Sequence, residues 1–419
     1  MEQTGGAIIV LAVRSIRAQY FFAFGMMGAV LPFLSVFLKE RDLTRTQIGY
    51  VTGVASFGIV LTPVLITLLA DAAVAGRVLM AGVFATSGAL LVALLGVHGF
   101  WPILACYALH ALAFAPAAPL QDGIYFAAAA RDRDAPPYHA VRVWGTIGYI
   151  VPSVVLYFVL TRKDSVSPAL ACGAAMCVAG AINALLFLPR VDERSLHDAE
   201  RTNSRLPTAA AARALREPHV LGFCAAMLLV HMASMGYYQF YPLYLTDARH
   251  FEKQWVGLIA NLGVVVEIGF MLGFGWLRAR LGLRGLMILG VVCIAVRLLL
   301  LAFVPSNVVA IGTQVFHGMT VLVLHVAPPI YLNARAGDAY RSSIQGLYAM
   351  TVAGAGRIIG SVLAGRVAEY SLTVMFAGCA GLCVIAAGLL YFAFHEQPAD
   401  PATPIDASKT RESEAVGTT

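Results

Sequence analysis

Apolar stretches of about 20 residues or more recur along this chain between short polar breaks, and each is long enough as a helix to cross roughly 30 Å of hydrocarbon. Twelve can be counted. In the first half they run from Ile16 to Leu38, Gln47 to Ala70, Val74 to Leu95, Phe100 to Ala130, His139 to Leu160 and Pro168 to Leu188. In the second half they run from Pro218 to Leu245, Gln254 to Leu277, Leu283 to Val304, Asn307 to Leu332, Ser342 to Gly365 and Ser371 to Phe394. Only 12% of the residues are charged, against roughly 25% in a soluble globule, and 59% are hydrophobic. Backbone in lipid must satisfy its own hydrogen bonds, so the expected fold is an all-α membrane protein of twelve transmembrane helices, six on each side of one polar segment.

The expected divisions are a cytoplasmic N-terminal segment over 1–15, a six-helix bundle over 16–189, a flexible cytoplasmic linker over 190–217, a second six-helix bundle over 218–395 and a disordered tail over 396–419. With both termini on one side, eighteen of the 29 Lys and Arg fall there, eight fall opposite and three lie within spans. Basic residues favour the cytoplasm, so both termini are expected inside a cytoplasmic (inner) membrane. The apolar stretch Ala7 to Val13 follows Glu2 rather than a basic region, so the first span is expected to serve as the insertion signal. All seven cysteines fall within spans, which argues against disulfides and zinc.

Ionisable groups at membrane depth are costly and so mark function first. Asp122 lies late in the fourth span and Arg142 opens the fifth, so a helical hairpin would make them neighbours. A carboxylate and a guanidinium satisfy each other while keeping spare donors and acceptors for a polar ligand; a structural pair is the plainer reading. Arg142 and Tyr149 stand close to two helical turns apart, on one face. A charged fork beside an aromatic plate suits a sugar and equally an aryl carboxylate.

Glu267 stands alone in an apolar eighth span, where a carboxyl can load and unload a proton. Arg297 in the ninth span and His317 in the tenth can approach it across the bundle. His325 is a core hydrogen-bonding residue or a member of that coupling group. Arg357, flanked by Gly354, Gly356 and Gly360, lines the cavity or packs, and His110 and His231 read as packing residues. Tyr20 and Phe24 in the first span, with Tyr237 and Tyr238 in the seventh, can face substrate or belt the interface.

Twelve spans split six and six resemble the major facilitator superfamily. Tyr20-Phe21-Phe22, Leu31-Pro32-Phe33-Leu34-Ser35-Val36-Phe37-Leu38 and Thr46-Gln47-Ile48-Gly49 resemble its lactose-permease-like and phenylpropionate-permease-like branch. That resemblance puts Asp122 at a fourth-span acidic position, Arg142 at an essential fifth-span arginine and Tyr149 at a sugar-stacking aromatic. His317 falls on a tenth-span histidine, but the branch's proton-carrying glutamate is Thr320 here; Glu267 matches an eighth-span glutamate of the branch and Arg297 lies near its ninth-span coupling arginine, so the resemblance puts the expected proton site at Glu267. Asp71, Arg77 and Arg278 match parts of the superfamily's gating loops.

The resemblance implies two bundles related by a pseudo-twofold axis along the membrane normal, with the binding cavity between them. The expected activity is proton-coupled uptake of a small solute such as a sugar, nucleoside or aryl carboxylate. Asp122, Arg142, Tyr149, Tyr20, Phe24, Tyr237 and Tyr238 bind it; Glu267, His317, Arg297 and His325 couple the proton; Asp71, Arg77 and Arg278 gate. The partners are solute, proton and lipid, without nucleic acid, cofactor or metal, and the protein works as a monomer. Proton-driven efflux of amphiphiles and a transporter-like sensor are the alternatives, and no nucleophile, base or cofactor motif suggests an enzyme.

Overall fold

The computed structural model describes residues 2–61, 75–130, 135–189, 208–336 and 341–394, and all regular structure among these is helical. Among the described residues nine helices are long and apolar enough to cross a membrane, and a bent pair, Val13–Val30 with Leu34–Glu40, makes ten. The bend of 45° falls at Leu31-Pro32, where the proline ring cannot donate to the helix and crowds the preceding turn. One stretch, Trp255–Phe303, has 49 residues, more than twice what a bilayer needs. Gly282 interrupts it with φ 66° and ψ 172°, a left-handed conformation that only glycine adopts cheaply, so it makes two crossings, the eighth and ninth spans. The second span is described over 45–61; its remainder, with Asp71, lies outside the described residues. Its start is fixed by a capping box in which the Thr44 hydroxyl accepts from Gln47 N and the Gln47 side chain accepts from Thr44 N.

The other spans are Gly76–Gly96, Phe100–Ala129, Tyr138–Leu160 and Ser167–Leu186 in the first half, and Pro218–Ala248, Asn307–Ala336, Ser343–Tyr370 and Leu372–Ala393 in the second. In the first half, span one packs on five and six and span three on four and six; in the second, span seven packs on eleven and twelve and the eighth–ninth stretch on twelve. Between the halves, span two meets eleven and span five meets eight. Adding six to each number maps one of these contacts onto the other, which is the signature of a pseudo-twofold axis.

The expected flexible linker is corrected over its last part: Thr208–Leu215 is a helix. The alanine run 209–212 has high helix propensity, and Ala211, Ala214 and Leu215 are buried, with the helix packed on Arg341–Tyr348. The tail and the linker before Thr208 lie outside the described residues.

Candidate functional site

The first-half site is built around Asp122. Tyr20, only 1% exposed, donates its hydroxyl to Asp122 Oδ1, and Tyr138 donates to the same oxygen at 3.0 Å. Tyr20 and Tyr138 meet edge to face with centroids 6.4 Å apart. The expected ion pair between Asp122 and Arg142 does not form: no contact within 4 Å joins them among the described residues. Two phenols already engage the carboxylate, and the guanidinium instead lies over the Phe24 ring at 3.9 Å and beside Tyr20 at 5.8 Å. Gly145 leaves room for this, since a Cβ there would stand 2.6 Å from Arg142 Nη1 and 2.9 Å from Phe24. Spans one and five approach closely because Gly28 and Gly148 carry no side chain; a Cβ on Gly28 would fall 2.0 Å from the Tyr149 carbonyl oxygen.

The second-half site gathers on spans seven to eleven. Arg297, 1% exposed, donates to the Tyr237 hydroxyl and to Gln314 Oε1 at 2.8 Å, and its guanidinium stacks 3.7 Å above the Tyr237 ring. Gln314 also donates to the Tyr237 hydroxyl at 3.2 Å. These partners are neutral, and Arg297 Nε and Nη1 have none among the described residues. His317 Nε2 lies 3.8 Å from Glu267 Oε2, and its ring meets Tyr238 edge to face at 5.9 Å. Of the two groups expected beside Glu267, His317 is therefore in contact, whereas Arg297 is turned to Gln314 and Tyr237. Thr320 donates to the Phe316 carbonyl of its own helix. Arg357 lies within electrostatic reach of Tyr238, His231 and His325, and makes no ion pair among the described residues. His325 sits in a π-helical turn, Leu322–Val326, one of three such turns in this half. His110 is held by Ser87 at 2.9 Å and stacked between Tyr107 and Phe114.

The two clusters face each other. Arg142 and Tyr149 on span five both lie within electrostatic reach of Glu267 on span eight, and Tyr149 within that of Tyr237. Asn261, also on span eight, donates to the Ile150 carbonyl of span five at 3.2 Å. Two members escaped the sequence reading. Tyr138 stands one helical turn before Arg142, just after Pro136-Pro137, and Gln314 stands one turn before His317; both spacings were visible, but neither residue carries a charge. Among the described residues no three His, Cys, Asp or Glu side chains converge as a metal site requires.

Polar links between the halves concentrate at the end carrying the loop between spans one and two. Asp247 accepts from Lys39 at 2.6 Å and from Arg45 at 3.4 Å, and Lys253 reaches Glu40 at 2.7 Å. Arg45 also donates to the Ala368 carbonyl at 3.0 Å, Thr46 N to Glu369 at 2.9 Å and Arg366 to the Tyr50 hydroxyl at 2.7 Å. Gly49 and Gly365 let spans two and eleven touch here; a Cβ on Gly49 would stand 2.9 Å from Gly365 Cα. The sequence reading placed gating at the other end, at Arg77 and Arg278, neither of which makes an ion pair among the described residues. Charged loop residues are common, and only the meeting of two distant segments distinguishes a clasp from a solvated surface.

A membrane-embedded polar site shared by two matched helical halves is the architecture of a solute transporter. The MFS_1 like family model matches residues 13–377, and the chain belongs to that family of the major facilitator superfamily. It is 26% identical to the probable 3-phenylpropionic acid transporter of Escherichia coli K12, over 87% of this chain and 93% of that one. It is also 26% identical to the putative nucleoside transporter YegT of the same strain, over 82% and 81%. The fold matches the crystal structure of the nucleoside transporter NupG with a TM-score of 0.80 at 19% identity, covering 92% of this chain and all of that one.

Proposed function

We propose that this transporter carries a small organic solute into the cell together with a proton, by alternating exposure of the site between its halves. The observation that carries this reading is the placement of Glu267: it touches His317 on its own half and faces Arg142 and Tyr149 on the other. A proton arriving on Glu267 changes the charge at the interface that must move. Asp122, Tyr20, Tyr138, Arg142, Phe24, Tyr149, Tyr237 and Tyr238 supply charged, hydroxyl and aromatic contacts for the solute, in keeping with relatives named for 3-phenylpropionic acid and for nucleosides. His325 and Arg297 both lie within electrostatic reach of His317. The excess of basic residues supports a cytoplasmic side for both termini and the linker, in an inner membrane. The clasp from Lys39 to Glu369 then closes the outer face.

One proton entering at ~100 mV supplies about 2.3 kcal/mol, enough to concentrate a neutral solute roughly 50-fold. The test is Glu267→Gln in proteoliposomes with an inward proton gradient. Uphill accumulation is lost while exchange of labelled solute persists, because the amide resembles the protonated carboxyl. Accumulation at the wild-type level would overturn the assignment of Glu267.

A further inference from the structure

Charge at the central site does not balance. Three guanidinium groups, Arg142, Arg297 and Arg357, share the region with two carboxyl groups, Asp122 and Glu267. Asp122 is engaged by the hydroxyls of Tyr20 and Tyr138, and Glu267 by His317 at 3.8 Å. None of the three arginines has a carboxylate within 4 Å among the described residues. Arg297 is the sharpest case, buried to 1% exposure with neutral partners and with Nε and Nη1 unmatched among the described residues. A buried guanidinium without a counter-ion is strongly unfavourable. Sugars and nucleosides bring no charge, whereas a carboxylate brings one and fits the planar fork of arginine.

Ring faces accompany the cations. Phe24 and Tyr20 flank Arg142, Tyr237 and Tyr241 flank Arg297, Tyr149 lies within electrostatic reach of Glu267 and Tyr237, and Tyr238 within that of Arg297 and Glu267. We propose that the substrate is a small aromatic carboxylate, and that Arg142 is the counter-ion for which this carboxylate and that of Glu267 compete. This rests on the proton-coupled reading above and gives it a mechanism. With Glu267 ionised, its charge offsets that of Arg142 across the gap between spans five and eight; with Glu267 protonated, the Arg142 charge is left to the substrate. The groups facing Glu267 are Arg142 and Tyr149 from span five, Tyr238 from span seven and His317 from span ten, so Arg142 is the fixed cation among them. By reciprocity, occupancy by the anion favours the proton on Glu267 as much as the proton favours the anion.

The experiment is equilibrium binding to purified protein in nanodiscs, using labelled 3-phenylpropionate, benzoate and indole-3-acetate, the amide 3-phenylpropanamide, and uridine. Proton uptake on binding is recorded in weakly buffered solution between pH 6 and pH 8, where such acids stay ionised. At least one carboxylate is expected to bind, with its amide at least tenfold weaker and with proton uptake by the wild type. Arg142→Gln lowers carboxylate binding to about the level of the amide, with circular dichroism and a monodisperse elution profile reporting separately that the variant is folded. Glu267→Gln binds the carboxylate without taking up a proton.

An amide binding as tightly as its acid, or no binding by any carboxylate, overturns the inference. If uridine in place of a carboxylate accumulates under a proton gradient in liposomes, proton-coupled uptake stands and the substrate class falls. Carboxylate binding without proton uptake or gradient-driven accumulation keeps the class and overturns both the hand-over of Arg142 and the coupled reading.

Discussion

The Lys39 ammonium lies 2.6 Å from the Asp247 carboxylate, and this contact ties the end of the first span to the end of the seventh across the two halves. Arg45 approaches the same carboxylate at 3.4 Å, and Lys253 with Glu40 repeats the arrangement in the opposite sense, the cation now coming from the second half. The clasp is thus reciprocal, with each half giving and receiving charge.

Removing the carboxylates should loosen that end of the molecule. Lys39 is half exposed, so each pair is worth only about 0.2–1 kcal/mol, a few-fold in a conformational equilibrium. With spin labels at positions 162 and 250, Asp247→Asn combined with Glu40→Gln should add a longer-distance population, and high salt should do the same to the wild type. A distance distribution unmoved by both treatments would mean that the close contact of spans two and eleven alone keeps this end shut.

The two phenols on Asp122 can be separated. Tyr138→Phe removes a hydrogen bond to a charged acceptor without changing shape, a loss of about 1.5–3 kcal/mol where water does not replace it. Solute affinity should fall roughly tenfold or more if Asp122 is held in place for binding, whereas thermal stability should change little because Tyr138 is partly exposed. Isothermal titration alongside melting curves separates these. A lower melting temperature with unchanged affinity would identify a structural role.

Gly263 sets the distance between spans eight and ten at the proton site. A Cβ there would stand 2.7 Å from Gln314 Oε1 and 2.9 Å from His317 Cγ, whereas a Cβ on Gly269, two turns further along, meets nothing within 4 Å. Gly263→Ala should reduce proton-coupled accumulation at least tenfold while the protein still inserts, and Gly269→Ala should behave as wild type. Equal transport by the two variants would show that span ten moves aside freely and that the position of His317 is not set here.

Gly28 tests the packing of the first half. Its Cβ would fall 2.0 Å from the Tyr149 carbonyl oxygen, which belongs to backbone and cannot rotate away. Gly28→Ala should force spans one and five apart, with a loss of about 1–3 kcal/mol by the usual cost of overpacking. The readout is the melting temperature in detergent, against Gly82→Ala, where a Cβ meets nothing within 4 Å.

The helical class and the approximate limits of most spans were legible in the sequence because lipid admits so little else: a run that cannot expose its backbone must be a helix, and its length follows from the bilayer. The predicted start of the fifth span at His139 lies one residue from the observed Tyr138, and the predicted break before Leu283 falls at Gly282. The isolated charges were legible for the same reason, since Asp122, Arg142, Glu267, Arg297 and Arg357 are conspicuous in apolar surroundings.

Which of them meet was decided only by the tertiary structure. Asp122 and Arg142 are close in the chain, yet the carboxylate turns to Tyr20, 102 residues away, and the guanidinium to Phe24. Arg297 turns to Gln314 and Tyr237 rather than to Glu267, and the clasp joins Lys39 and Arg45 to Asp247, some 200 residues on. The pattern of apolar residues fixes where each helix lies in depth, because burial in lipid depends on each segment by itself. Rotation about each axis, and so the partner each polar group finds, depends on the packing of the spans together; it rests on glycines such as Gly28, Gly145 and Gly263, whose importance lies in the neighbour they admit.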